Sequence, residues 1–225
     1  MKFLLFFALS IIPQFIWSQI TDINGQSYKT VVIGSQTWFA ENLNVDRFRN
    51  GDPIPEAKTD AEWEQAGENK QPAWCYYNND PANGTKYGKL YNWYAVNDPR
   101  GLALEGWHVP SVADWTILID YLGSFGSGIK MKSSHDWGFE GNGTNVSGFS
   151  GLPGGYRIHT GVFKWEKDFV GHWWSSTEHN KYGVPLNSIE SNRQAYYRKL
   201  SNYSDHLLSG YDFMSEGFSV RCIKD

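Results

Sequence analysis

The sequence predicts an α+β fold with early helices, a core antiparallel sheet and long glycine-rich loops. Patterns typical of helices stand before Gly123, and most of the short strand-like runs come after it. The chain also contains 11 Trp, 13 Tyr and 13 Phe against 3 Met, together with 23 Gly. Large rings separated by tight turns favour sheets and structured loops over a helical bundle.

A small β-meander is predicted at the start of the domain. Asn24-Gly25 is a strong hairpin-turn signal before the β-branched run Tyr28–Ile33. Gly34-Ser35 then turns the chain back into a second run, Gln36–Phe39. Two or three antiparallel strands are therefore expected here.

Two helices are predicted from their capping residues. The first spans Asp60–Ala66, between the N-cap Thr59 and a terminating glycine. The second is the clearest helix of the chain, because Ser111 and Asp114 form a capping pair and Gly123 ends the pattern. Its apolar stripe consists of Val112, Trp115, Leu118, Ile119 and Leu122.

The remaining segments carry weaker signals. Ala73–Gly88 is broken by turn residues and is predicted to be a loop, whereas Lys89–Val96 fits either a short helix or a strand. A glycine-rich loop is predicted from Gly123 to Gly161. The strands expected after it are Val162–Trp165, His172–Ser176, Ala195–Leu200 and Phe218–Ile223.

The first residues have the pattern of a secretory signal peptide. Lys2 supplies a positive charge, Phe3–Trp17 is an apolar run, and the small residue Ser18 follows it. The run is shorter than the about 20 apolar residues that a bilayer requires, so it favours cleavage over a membrane span. We predict a signal peptide over residues 1–19 and a single domain over 20–225. The mature chain is expected to be secreted, periplasmic or on the outer cell surface, without a membrane span.

Charge argues against nucleic acid as a partner. The formal net charge is −4, it becomes one unit more negative when Lys2 is removed, and no basic block stands in the mature chain.

Cys75 and Cys222 are the two cysteines of the chain. In an oxidising compartment they suggest one disulfide that ties the first third of the chain to its last strand. The alternative is two buried free thiols, because cysteine is often buried without bonding.

Seven strings of residues, taken in order, resemble one protein family. They are 33–38, 41–43, 88–96, 106–111, 148–157, 173–177 and 217–222. Together they resemble the Fibrobacter succinogenes major paralogous domain family over nearly the whole mature chain. This resemblance implies an exported bacterial protein, often surface-associated, with no established catalytic activity.

Residues 106–115 and the late Gly-Phe strands are also similar to the wider C-type-lectin-like fold. That fold includes formylglycine-generating enzymes, which use a pair of cysteines close together in the late core. Cys75 and Cys222 do not match that pair. The resemblance therefore implies a C-type-lectin-like domain without the copper-thiolate chemistry.

No motif predicts a catalytic residue or a cofactor. The six histidines lack compact ligand spacing, Ser150 lacks the glycine spacing of a nucleophile elbow, and no Gly-Lys-Ser/Thr follows the run Gly151–Gly155. Metal binding is left open. The oxygen-bearing residues Asn187, Glu190, Asp205, Asp212 and Glu216 match no calcium motif.

Trp173 and Trp174 are adjacent, so on a strand their rings point to opposite faces. An exposed ring beside Ser175, Thr177 or Glu178 would offer a sugar one flat apolar face and several hydrogen-bonding groups. These five residues form the candidate ligand site. The alternative is that both rings pack in the core.

Three functions follow from these observations. The first is an exported, non-enzymatic binding or adhesion module whose unknown ligand is a surface partner or a glycan. The second is a secreted glycoside hydrolase, which needs two carboxylates across a cleft. The candidate carboxylates lie near one another in the sequence, Glu166 with Asp168 and Asp212 with Glu216. The third is a structural envelope protein, favoured if Trp165, Trp173, Trp174 and Tyr197 are buried.

Overall fold

The computed structural model describes residues 18–164, 166–179 and 193–225. Ten strands and five helices lie within them. Most of the predicted signal peptide, together with Trp165, Asn187 and Glu190, lies outside the described residues.

A five-stranded antiparallel sheet forms one side of the domain, in the order β1-β2-β3-β10-β6. Its strands are β1 (Ser18–Thr21), β2 (Ser27–Ile33), β3 (Gln36–Phe39), β6 (Trp107–His108) and β10 (Ile223–Lys224). The predicted meander is confirmed as β1 to β3. Ile223 pairs with Trp38, so the end of the chain lies beside its beginning.

The remaining strands form two smaller sheets. β4 (Trp74–Cys75) pairs with β5 (Leu90–Tyr91), and the second sheet contains β7 (Val170–His179), β8 (Gln194–Ser201) and β9 (Leu208–Phe213) in sequence order. The predicted strands at His172–Ser176 and Ala195–Leu200 are confirmed as parts of β7 and β8. β9 was not predicted, because its residues are mostly exposed and show no apolar face. Only Ile223 of the predicted strand Phe218–Ile223 lies in a regular strand, and residues 162–164 form none.

The helices are α1 (Asp60–Glu68), α2 (Pro81–Tyr87), α3 (Trp93–Val96), α4 (Val112–Leu122) and α5 (Ser127–Met131). The two predicted helices are confirmed as α1 and α4, and each begins with a complete capping box. α2 lies in the segment predicted as a loop, and α5 lies in the predicted glycine-rich loop. The ambiguous segment Lys89–Val96 contains both β5 and α3.

The core consists of large rings, as the composition predicts. One cluster contains Tyr28, Phe39, Trp74, Tyr91, Trp93, Trp107, Trp174 and Phe218. A second lies between the five-stranded sheet and α4 and contains Trp38, Trp115, Phe149 and Trp173. A third surrounds Trp63 on α1. The arrangement of helices and antiparallel sheets confirms the α+β class.

None of the helices in the described part of the chain is long and apolar enough to cross a membrane.

Candidate functional site

The two cysteines are free thiols, so the predicted disulfide is corrected to its alternative. Cys75 packs with Trp63 and Leu90, whereas Cys222 belongs to the aromatic cluster around Phe39. Each sulfur is therefore enclosed by a different part of the core. Burial raises the pKa of Cys75 to about 12 and raises the pKa of Cys222 as well, which keeps both thiols protonated.

We expect a reducing agent to change the free energy of unfolding by less than about 0.5 kcal/mol, whereas loss of a native bridge costs about 2–4 kcal/mol. Urea unfolding with and without reductant measures this difference. As a check, Cys75 and Cys222 should react with a thiol reagent only after unfolding. A decrease of about 2 kcal/mol or more in the free energy of unfolding on adding reductant would show that the disulfide is present.

Trp173 and Trp174 point to opposite faces of β7, as predicted, but both rings are fully buried. Trp173 donates its indole N–H to Asn42 Oδ1 at 2.8 Å, and Trp174 donates to the main-chain oxygen of Tyr91 at 2.8 Å. Ser175 is buried too, and its main-chain oxygen accepts the indole N–H of Trp93. The two rings and Ser175 are core residues and cannot serve as a sugar-binding platform.

Thr177 and Glu178 lie farther along β7 and do not form a site with the rings. The Thr177 hydroxyl accepts the main-chain N–H of Val112 at 3.0 Å, at the start of α4. Glu178 is 3.8 Å from Arg193. Beyond them, His179 stacks on Tyr211 with ring centroids 3.8 Å apart. Sequence reasoning missed this partly exposed pair because Tyr211 belongs to the unpredicted strand β9.

Two of the carboxylates suggested for a hydrolase, Glu216 and Asp168, are held by neighbouring side chains. Glu216 is only 3 % exposed and accepts hydrogen bonds from the Nδ1 and main-chain N–H of His159. Burial raises the pKa of Glu216 to about 7, against the lowering effect of the His159 hydrogen bond, and burial also raises the pKa of Asp212. Asp168 pairs with the adjacent Lys167 at 2.9 Å. Within the described ranges, no group of three or more His, Cys, Asp or Glu side chains could hold a metal ion.

An open polar groove of about 840 Å³ lies elsewhere, between the five-stranded sheet, α2 and the loop of residues 133–152. Neutral hydrogen-bonding side chains dominate its walls. The amides are Gln26, Asn42, Asn44 and Asn145, with Gln19 at the end of the predicted signal peptide, and the hydroxyls are Ser27, Thr85, Ser133 and Ser150. No Phe, Tyr or Trp side chain is among the described residues that line it. The groove can therefore both donate and accept many hydrogen bonds.

The charged side chains around the groove neutralise each other. Lys29 Nζ on β2 lies 3.7 Å from Oε1 of Glu41, which follows β3. Lys86 on α2 bonds Asp136 at 2.6 Å, and His135 contacts the other oxygen of the same carboxylate. The groove thus presents little net charge to a ligand.

Ser150 lies at the groove in a strained backbone conformation. Its φ is +55°, in the left-handed region that a serine rarely adopts. Asn145 holds it from two sides: Asn145 Oδ1 accepts the Ser150 main-chain N–H at 2.8 Å, and Asn145 Nδ2 donates to Ser150 Oγ at 2.9 Å. The sequence pattern assigned Ser150 no role, because the residues around it lack the glycine spacing of a nucleophile elbow.

Arg221 supports this part of the groove from the protein interior. Its fully buried guanidinium donates to Asn42 Oδ1 at 2.7 Å and to the main-chain oxygen of Ser150 at 3.1 Å. It also donates to the main-chain oxygens of Phe39 at 2.9 Å and Phe149 at 2.6 Å. Burial lowers the pKa of Arg221 to about 9, so the group stays charged at neutral pH. Among the described residues, no carboxylate forms an ion pair with it.

The fold is an α+β domain with an open polar groove whose described lysines are paired with carboxylates. A family model described as the Fibrobacter succinogenes major domain matches residues 31–224. The chain belongs to that family, as the seven strings indicated. No curated protein and no solved structure gives a match to this chain.

Proposed function

We propose that this chain is an exported, non-enzymatic binding or adhesion module of the cell envelope or exterior, with a C-type-lectin-like domain whose polar groove holds a neutral glycan. The observation that carries the proposal is Ser150, a strained residue held in the groove by Asn145 and Arg221. Backbone strain that the surrounding structure maintains is concentrated at functional sites in proteins. Export rests on the signal-peptide pattern of the first residues.

The chemistry of the groove favours a polyhydroxylated ligand. Sugar hydroxyls donate and accept hydrogen bonds, and amide and hydroxyl side chains match both roles. Because Lys29 and Lys86 are each paired with a carboxylate, the described lining residues offer no unpaired lysine or arginine for an acidic sugar. With no Phe, Tyr or Trp ring among the described lining residues, the ligand would be held mainly by hydrogen bonds.

The same groove lacks the groups that a glycosidase needs. Such an enzyme places two carboxyl groups about 5–10 Å apart around the scissile bond. Glu41 carries the one carboxylate among the described lining residues, and it is engaged by the side chain and the main-chain N–H of Lys29. A binding role therefore fits this surface better than hydrolysis.

A structural envelope protein is the second candidate, and the burial of Trp173 and Trp174 favours it. Tyr197 is only half-buried, and Trp165 lies outside the described residues. A purely structural domain has no need of a strained, preorganised polar groove, so glycan binding separates the two candidates.

We expect Ser150→Gly to stabilise the protein while weakening glycan binding. Glycine adopts a positive φ without strain, which should add about 1 kcal/mol to the free energy of unfolding. Loss of the hydroxyl removes one hydrogen bond to the ligand, worth roughly 0.5–1.5 kcal/mol, or about 2- to 12-fold in affinity. A glycan array on the wild type identifies ligands, and calorimetry then compares the variants.

Glu140→Gly is the matched control. Glu140 also has a positive φ, +58°, but it does not line the groove. This variant should gain stability and bind as the wild type does. Silence of the wild type on the array, or equal affinities for Ser150→Gly and Glu140→Gly, would refute the proposed groove.

A further inference from the structure

Lys89 and Asn44 lie in contact at the junction between two sheets. The main-chain N–H of Lys89 donates to the oxygen of Leu43 at 3.2 Å, so the segment entering β5 runs beside the segment leaving β3. The Lys89 ammonium is 3.0 Å from Asn44 Oδ1 and 2.6 Å from the Asn44 main-chain oxygen. The amine of one side chain is thus held against the carboxamide of the other.

The side chain of Lys89 packs against two aromatic rings. The residue is only 5 % exposed, and its Nζ lies 4.5 Å from the centroid of the Trp74 ring and 5.1 Å from that of Tyr76. Among the described residues, no carboxylate comes within the 4.0 Å of an ion pair. Burial lowers the pKa of Lys89, which increases the fraction of neutral, nucleophilic amine.

Asn44 is fixed in front of this amine. Its Nδ2 donates to Gln26 Oε1 at 3.2 Å, and its main-chain N–H donates to the Tyr28 hydroxyl at 3.2 Å. Tyr28 in turn donates to the buried carboxylate of Asp22 at 3.0 Å. The carboxamide therefore has little freedom to turn away from Lys89, and such positioning promotes an intramolecular reaction.

We propose that Lys89 and Asn44 join through an intramolecular isopeptide bond. The lone pair of neutral Nζ forms a bond to Asn44 Cγ, and the bond between Cγ and Nδ2 breaks. The nitrogen leaves as ammonia, which carries away the protons that Lys89 gives up, so the ammonium and the carboxamide become a secondary amide and an ammonium ion. No oxidant, reductant or further reactant is consumed.

Proton transfer in this step requires a nearby acceptor. The carboxylates of Asp46, Glu56 and Asp22 act electrostatically on Lys89, and Asp46 acts most strongly. Since no described carboxylate lies within 4.0 Å of Lys89 Nζ, the lysine proton passes to the departing Nδ2, which leaves as ammonia. The product would tie β3 to β5 covalently in a domain whose two cysteines form no bridge, whatever the groove binds.

Mass spectrometry of the full chain tests the bond. The wild type, with its N-terminus determined, should be lighter than its sequence by one ammonia molecule, and digestion should release a branched peptide that joins Asn44 to Lys89. Asn44→Asp should instead be lighter by one water molecule, because a carboxylic acid condenses with the amine by losing water.

Lys89→Met should keep the mass that its sequence gives. Lys132→Met is the matched control, because Lys132 is also buried but donates only to the main-chain oxygens of Ser201 and Ser204; it should retain the ammonia loss. Ammonia loss at an Asn-Gly pair, such as Asn24-Gly25, would give no branched peptide. An unmodified wild-type mass, or only linear peptides at residues 44 and 89, overturns the proposal.

Discussion

Replacing Arg221 with methionine is expected to lower the free energy of unfolding by about 3–5 kcal/mol. The guanidinium is fully buried and supplies donors to four acceptors, three main-chain oxygens and Asn42 Oδ1. Methionine has a comparable length but no donor, so these acceptors would be left without that partner inside the core. Relief from burying a charge offsets part of this loss. Urea unfolding monitored by tryptophan fluorescence measures the change.

Arg47→Met is the control for Arg221→Met. Arg47 is exposed and donates one hydrogen bond, to the main-chain oxygen of Gly51 at 2.9 Å. Its replacement should change the free energy of unfolding by no more than about 0.5 kcal/mol. Similar small losses in both variants would show that Arg221 does not organise the fold. Because Arg221 also holds Ser150, a well-folded Arg221→Met protein should bind glycan more weakly.

Local signals in the sequence were sufficient for part of this fold. The capping boxes at Thr59 and Ser111 and the Asn24-Gly25 turn act over a few residues, and the corresponding helices and hairpin are present. α2 also has a local start signal, the N-cap Asp80 before Pro81, but the turn residues around it predicted a loop. Gly84, within its Asn-Gly pair, packs against the Tyr76 ring with no room for a Cβ, so a turn signal became part of a helix.

The candidate site was harder to predict because its parts are distant in the sequence. Arg221 and Ser150 meet only in the folded chain, and neither the positive φ of Ser150 nor the acceptors of Arg221 can be read from residue types. The strand pattern placed the rings of Trp173 and Trp174 on opposite faces. It could not show that both faces of β7 are covered, each by a separate cluster of rings. Nor could it show that Ser219 pairs with Trp173 at one edge of the strand.

His172→Phe is expected to make the protein less sensitive to acid. His172 stacks on Phe218 with ring centroids 4.9 Å apart, contacts the rings of Tyr156 and Tyr197, and has a buried Nδ1 without a partner. Burial and, to a smaller extent, the positive charge of Lys199 lower the pKa of His172 to about 3. Phenylalanine keeps the ring and removes the unpaired polar atom.

The sign of the pH dependence follows from proton binding. The pKa of His172 is lower in the folded than in the unfolded chain, where it is about 6.5, so below that pH the unfolded chain binds the extra proton. The wild type should therefore lose about 2–3 kcal/mol more stability than His172→Phe between pH 6.5 and 4.5. Glu216, whose pKa is raised, acts in the opposite direction, but it is present in both proteins and cancels in the comparison. His206→Phe, at an exposed position, should keep the wild-type slope, and parallel pH curves for the wild type and His172→Phe would disprove the assignment.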